Sequence, residues 1–231
     1  KNEKANRVLI FEPKVFTEYP VSEKCIDFSL NLSKNIKDIQ IFYGNFEEFC
    51  SKYNVSNLIF KEHAPAYWAA GIPVIPLQAR EKKPVISNWQ AFADCMPSHE
   101  QQRTWLEQFP NGNIGLPLGK QSGLVAIDID STDPEVIDII KTICGPSTWE
   151  RVGAKGMVMV YRWNGHKTAR IKKSDGDTLV EILSSRTQIV IPPSIHPKTG
   201  QPYTANAELL ELVKSKQIPA LPTNVELALR E

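Results

Sequence analysis

Gly123-Leu124-Val125-Ala126-Ile127-Asp128-Ile129-Asp130 is a continuous apolar run that ends in two acids one residue apart. It reads as a strand. Residues two apart on a strand project from the same face, so Asp128 and Asp130 point together while Ile129 goes to the other side. Two carboxylates packed that closely repel, and one keeps its proton unless a cation neutralises them. A hard divalent ion such as Mg²⁺ is the usual answer, because it takes oxygen ligands and retains water or phosphate in its remaining positions. Acids also end strands simply because turns begin there, so the pair alone is a weak signal. Asp133 belongs to that plainer class. It is placed to cap a helix whose first residue is Pro134, with Glu135 facing the positive helix end and Val136, Ile139 and Ile140 following.

A second acid strengthens the first pair. Thr178-Leu179-Val180-Glu181-Ile182-Leu183 is strand-like and sets Glu181 between apolar neighbours, where an unpaired carboxylate is costly to bury. On an edge strand the same Glu would face solvent. Further along, Gln188-Ile189-Val190-Ile191 is cut short by Pro192 and Pro193, and Ser194 and His196 follow in a loop stiffened by prolines on both sides. Such a loop suits polar groups that must be held in place. A hydrolytic Ser/His pair is the weaker reading there.

The acids lie within an orderly chain. Its 231 residues, 42% of them apolar, are enough to bury a full core. Residues 1–62 read as a small α/β segment: strands at 8–11, 39–43 and 58–60, a helix from about Ser22, and a short helix after the second strand. In the first helix Ile26 with Leu30, and Phe28 with Leu32, repeat at the four-residue step of an apolar face. Composition shifts at His63, Ala64 and Pro65, where a second domain, 63–210, is expected to begin with a short helix at 67–70 and a strand at 72–76. Ser98 opens a helix to about Phe109, with Gln101 completing a capping-box pattern. Residues 211–231 read as a C-terminal helix and linker. The order of strands, helices and strands again indicates an α+β fold.

Cys25, Cys50, Cys95 and Cys144 show no metal-binding spacing and read as reduced thiols. No stretch has the length of a membrane span or the pattern of a signal peptide, so a cytoplasmic location is expected. A net charge of +1 is not that of a typical nucleic-acid binder, which leaves any such binding to local clusters. Arg80, Lys82 and Lys83 form one such cluster, and Lys167, Arg170, Lys172 and Lys173 form another.

From Ala64 to Tyr203 the chain resembles the bifunctional primase/polymerase domain of the archaeo-eukaryotic primase superfamily, common in phages and mobile elements. The resemblance is carried by several motifs in one order. They are Tyr67-Trp68-Ala69-Ala70-Gly71-Ile72-Pro73-Val74-Ile75-Pro76-Leu77; Lys83-Pro84 with Trp89; Asn113-Ile114-Gly115-Leu116; Gly119 with the run ending at Asp130; and Glu181 followed by Pro192-Pro193-Ser194-Ile195-His196-Pro197. The resemblance implies a catalytic core on an RNA-recognition-like antiparallel or mixed sheet. Asp128 and Asp130 would be its first acidic motif and Glu181 its third-motif acid, together holding Mg²⁺ or Mn²⁺ in a two-metal site. The expected activity is template-directed DNA synthesis by nucleotidyl transfer on single-stranded DNA template and primer with nucleoside triphosphates. Any unwinding would fall to a helicase domain or protein.

The second motif commonly holds a His that meets the nucleotide's phosphates. Here Val152-Gly153-Ala154-Lys155-Gly156-Met157-Val158-Met159-Val160-Tyr161-Arg162 has none, which leaves Lys155 and Arg162 as cations, joined by Ser194 and His196 from the later motif. Lys82 and Lys83 are the expected DNA contacts, and Trp89 or Tyr203 is suited either to stack a base or to fill the core. Two other readings stay open: a nucleic-acid-binding module of the same fold with little or no catalysis, and a metal-dependent nuclease using the same acids.

Overall fold

The apolar run becomes strand β5 (Leu124–Ile129), the centre of a five-stranded sheet in the computed structural model, which describes residues 7–37, 39–45, 48–49, 52, 59–153, 156–173 and 175–231. The chain divides into two compact units, Lys1–Asn57 and Leu58–Glu231. In the first, β1 (Arg7–Phe11) pairs in parallel with β2 (Ile39–Tyr43), and α1 (Pro13–Glu18) and α2 (Glu23–Ser33) lie between them in sequence. Phe11 and Phe42 are buried. On α2, Ile26 and Leu30 are half-buried, whereas Phe28 and Leu32 are exposed, so only one of the two four-residue pairs faces the unit's interior. The short helix expected after β2 falls largely outside the described residues.

The second unit opens on α3 (Ile59–Ala69). The sequence suggests a strand at 58–60 and a helix only from Tyr67. Instead Ile59 and Phe60 are already helical, Leu58 lying outside the described residues, and the helix runs through the composition shift at residue 63. The reason is periodicity: Phe60, Ala64, Tyr67 and Trp68 recur at helical spacing and are all buried. That face outweighs the roughly 3 kcal/mol cost of Pro65 inside the helix. The following strand, β3 (Ile75–Leu77), starts later than the pattern 72–76 implies. After a 3₁₀ turn (Trp89–Ala93), α4 (His99–Gln108) begins at the Ser98–Gln101 capping box, both of whose hydrogen bonds form.

Strands β4 (Asn113–Pro117), β3 and β10 (Gln188–Ile191) make a three-stranded antiparallel sheet in the order β10-β4-β3. The larger sheet adds β6 (Trp149–Gly153), β7 (Gly156–Arg162), β8 (Ala169–Lys172) and β9 (Thr178–Leu183) to β5 in the antiparallel order β6-β7-β5-β9-β8. Helix α5 (Pro134–Cys144) starts where Asp133 caps it, its side chain accepting the Glu135 N–H at 3.0 Å.

Period-2 alternation on β5 divides the core. Leu124 and Ala126, with Trp149, Val158 and Val160, pack in one cluster with β3, β4, β10, α3 and α4; Val125, Ile127 and Ile129 pack in another with Ile140 and Cys144 of α5. Asp128 therefore emerges on the face that meets the small sheet. The chain closes with α6 (Leu209–Lys214) and α7 (Val225–Ala228), and Leu209 joins the first cluster while Leu221 and Val225 join the second. The result is an α+β fold. Among the described residues no helix is long and apolar enough to cross a membrane, and Cys25, Cys95 and Cys144 are free thiols.

Candidate functional site

One row of side chains crosses the large sheet at the acidic end of β5. Arg151 on β6 is registered with Val158 on β7, Val158 with Asp128, Asp128 with Glu181 on β9, and Glu181 with Arg170 on β8. Directly opposed residues of antiparallel strands share a face, with Cβ atoms about 5 Å apart. Asp128 and Glu181 are thus neighbours. Asp130 lies just past the strand end, exposed, and its N–H bonds the Leu179 carbonyl at 2.9 Å.

The electrostatics follow from this crowding. Burial raises the Asp128 carboxyl to about 6, Asp130 and Glu181 push it the same way, and Arg151 and Lys82 offset only part of the rise. Glu181 has found its own counter-charge: Arg170 donates from Nε and Nη2 to Oε1. Among the described residues no three His, Cys, Asp or Glu side chains stand together as a metal site. The Arg170 pair holds Glu181 Oε1 toward β8. The donors are nonetheless hard oxygens short of neutralising charge, a chemistry that suits Mg²⁺ or Mn²⁺.

A cleft of about 190 Å³ opens beside Asp128 and Asp130, and its other walls carry Arg151, Tyr203, His196 and Lys82. Segment 202–206 runs along β6, with Arg151 bridged to Ala205 and the Glu150 N–H donating to Asn206 Oδ1 at 2.7 Å. This brings the Tyr203 ring under the Arg151 guanidinium, 4.5 Å from ring centroid to Cζ. His196 is fixed by its own backbone N–H to the Gln201 carbonyl at 2.8 Å. Its Nδ1 accepts the N–H groups of Lys198 and Thr199, each at 3.2 Å, which assigns the remaining proton to Nε2. Desolvation and the charges of Lys82, Arg151 and Lys198 lower the imidazole pKa, so the ring is neutral at pH 7.

Two loops that supply the cleft are pinned by one residue. Asn113, fully buried on β4, donates from Nδ2 to the carbonyls of Glu81 and Ile195 at 3.0 and 2.8 Å, and its Oδ1 accepts the Ile195 N–H at 2.9 Å. Gln188 adds a bond from Nε2 to the Lys82 carbonyl at 3.0 Å. Asn113→Ala removes the partner of three backbone groups at once, so a loss of about 3 kcal/mol is expected in urea unfolding. A loss under about 1 kcal/mol would remove Asn113 from this role.

Asp128, Asp130, His196 and Lys82 meet at the cleft, and Glu181 stands beside Asp128. Lys83 is exposed in the same loop as Lys82, its carbonyl accepting the Gln78 N–H. Ser194 is fully buried and its Oγ accepts the Ile114 N–H at 2.8 Å, so the hydroxyl braces the loop rather than facing the cleft. Arg162 stands away from the site. It pairs with Leu124 at the other end of β5, four residues and roughly 13 Å along β7 from Val158. Lys155 lies outside the described residues. Trp89 packs against the core, and of the two aromatic candidates only Tyr203 reaches the cleft.

Sequence reasoning missed Arg151. The clue was present two residues after Trp149: once Trp149 is taken as inward-facing on a strand, Arg151 shares its face. A Cβ on Gly156 would stand 1.7 Å from the Ile129 carbonyl oxygen, so Gly156 is needed for close approach of β7 to β5.

No curated protein matches the chain. Over residues 64–224, however, it matches the family described as bifunctional DNA primase/polymerase, N-terminal. That stretch contains the acidic row, the cleft and both pinned loops, and the chain belongs to this family of DNA primase/polymerase domains.

Proposed function

We propose that the chain is a template-directed DNA primase/polymerase that joins nucleotides at Asp128, Asp130 and Glu181. The observation that carries this reading is the register that sets Glu181 directly across from Asp128, with Asp130 two residues on, at the mouth of a cleft whose far walls are cationic. The three carboxylates would hold Mg²⁺ or Mn²⁺, and ions bound there supply activation of the attacking 3′-hydroxyl and neutralisation of the departing pyrophosphate. Asp128, with its carboxyl raised to about 6, would hold such an ion as the carboxylate, its proton released to solvent. Glu181 would join them on turning from Arg170.

The rest of the chain positions substrate. His196 presents its Nε2–H to the incoming nucleotide's phosphates or sugar, and Lys155, between Gly153 and Gly156 in sequence, supplies a further cation. Lys82 and Lys83 hold the template backbone by charge. The strand order β6-β7-β5-β9, with α5 between β5 and β6, supports an RNA-recognition-like core.

The test is incubation of the full chain with a labelled primer on a single-stranded template, both nucleotide types, and Mg²⁺ or Mn²⁺. Extension of the primer is the expected result. Binding without extension identifies a non-catalytic module, for which the Arg170–Glu181 pair is the favouring observation, and shortening of the primer identifies a nuclease.

A further inference from the structure

Arg151 is a buried cation with no ion-pair partner among the described residues. Its residue is only 6% exposed, yet it lines the cleft, and Nε is buried with no hydrogen-bond partner among the described residues. A buried guanidinium is ordinarily paired, because a desolvated charge and an unmet donor both cost free energy. Desolvation is the main influence lowering its pKa, offset in part by Tyr203 and Asp128. The Tyr203 ring lies against the guanidinium, 4.5 Å from centroid to Cζ, and the Tyr203 hydroxyl is itself buried with no hydrogen-bond partner among the described residues. Both groups are donors without acceptors among the described residues, on two side chains that line one cleft.

The position narrows the ligand. Arg151 stands two strands from Asp128, roughly 10 Å across the sheet at the usual interstrand spacing, with only Val158 between them in the row. Lys82 and Lys198 join Arg151 on the cationic walls, and Asp128 and Asp130 form the anionic one. A planar fork recognises phosphate oxygens in pairs. The cleft, at about 190 Å³, suits a chain of phosphates better than a nucleic-acid backbone passing through.

We infer that Arg151, braced by Tyr203, is the ligand of the incoming nucleotide's triphosphate in this chain and does the work that a second-motif histidine would do. The inference rests on the nucleotidyl-transfer reading for the identity of the phosphate carrier. It assigns the site's main phosphate contact to a residue of β6, with Arg162 left out.

The experiment measures binding of inorganic triphosphate to the full chain in EDTA, so that no effect passes through metal bound at the acids, alongside binding of a single-stranded oligonucleotide. Arg151→Met keeps length and apolar packing on Tyr203. It is expected to weaken triphosphate binding about 10-fold or more and leave oligonucleotide affinity within about twofold. Arg151→Lys keeps the charge without the fork, and a loss of about threefold or more is expected, which serves if Arg151→Met does not fold. Triphosphate affinity unchanged in the folded variants overturns the inference, as does a loss confined to the oligonucleotide or a wild-type chain that binds no triphosphate. A wild-type chain that extends no primer yet binds triphosphate through Arg151 removes the polymerase reading alone. Primer extension with unaltered triphosphate affinity in both variants removes the Arg151 assignment alone.

Discussion

Asp128→Asn is expected to lower nucleotide incorporation by about 10³-fold or more and, in the same protein, to raise the stability of the metal-free fold. The loss follows from removing a charged oxygen ligand at the reacting centre, worth about 4 kcal/mol or more of transition-state stabilisation. The gain follows from the same crowding that equips the site. With its carboxyl at about 6 when folded, against about 4 when unfolded, the native protein binds more protons than the unfolded chain between those values. Stability accordingly falls as pH rises from about 4 to about 6, and the full cost is present above 6. Asparagine carries no such cost, so the variant should be more stable by about 2 kcal/mol at pH 7.5 in EDTA, with the difference vanishing toward pH 4. Urea unfolding at the two pH values measures it. A variant less stable than wild type at pH 7.5 would mean that the carboxylate is already satisfied within the protein.

The second large effect is expected at Gly156. Its backbone has φ +156°, and an added Cβ would lie 1.7 Å from the Ile129 oxygen and 2.9 Å from the Ile129 carbonyl carbon. Both neighbours are backbone, so no side chain can move aside. Ile129 is the partner of Met157 and sits between the two aspartates, so any shift in β5 moves the acids with it. Gly156→Ala should cost about 3 kcal/mol and lower incorporation by about 100-fold, because strand separation and site geometry change together. Stability within about 1 kcal/mol of wild type would show that the β5–β7 contact has slack.

How much of this was legible in the sequence depended on how local the physics is. Helix α4 and its capping box, the Asp133 cap of α5, and strands β5 and β9 are set by short-range patterns, and each lies where its residues indicate. Helix α3 was misread because proline punctuation at Pro65 is a louder local signal than an apolar face spread over nine residues. In the site, the pairing of Glu181 with Asp128 was foreseeable as a meeting of two motifs but not as a register. Arg151 had only its alternation with Trp149 to mark it, because a Trp-Glu-Arg stretch has no motif of its own and its burial depends on segment 202–206 folding back along β6. Ser194 and Arg162 were drawn in by sequence proximity to functional motifs. One is turned into β4 and the other lies at the far end of a strand, and neither fact has a short-range signature.

The claim on which the account depends is that Asp128, Asp130 and Glu181 act as a single divalent-cation site. Titration of Mn²⁺ into the full chain with a nucleoside triphosphate present, with free manganese followed by electron paramagnetic resonance, tests it directly. Binding in the wild type, lost in Asp128→Asn and weakened about 10-fold or more in Glu181→Gln, is the predicted result. Manganese affinity equal in all three proteins would contradict it.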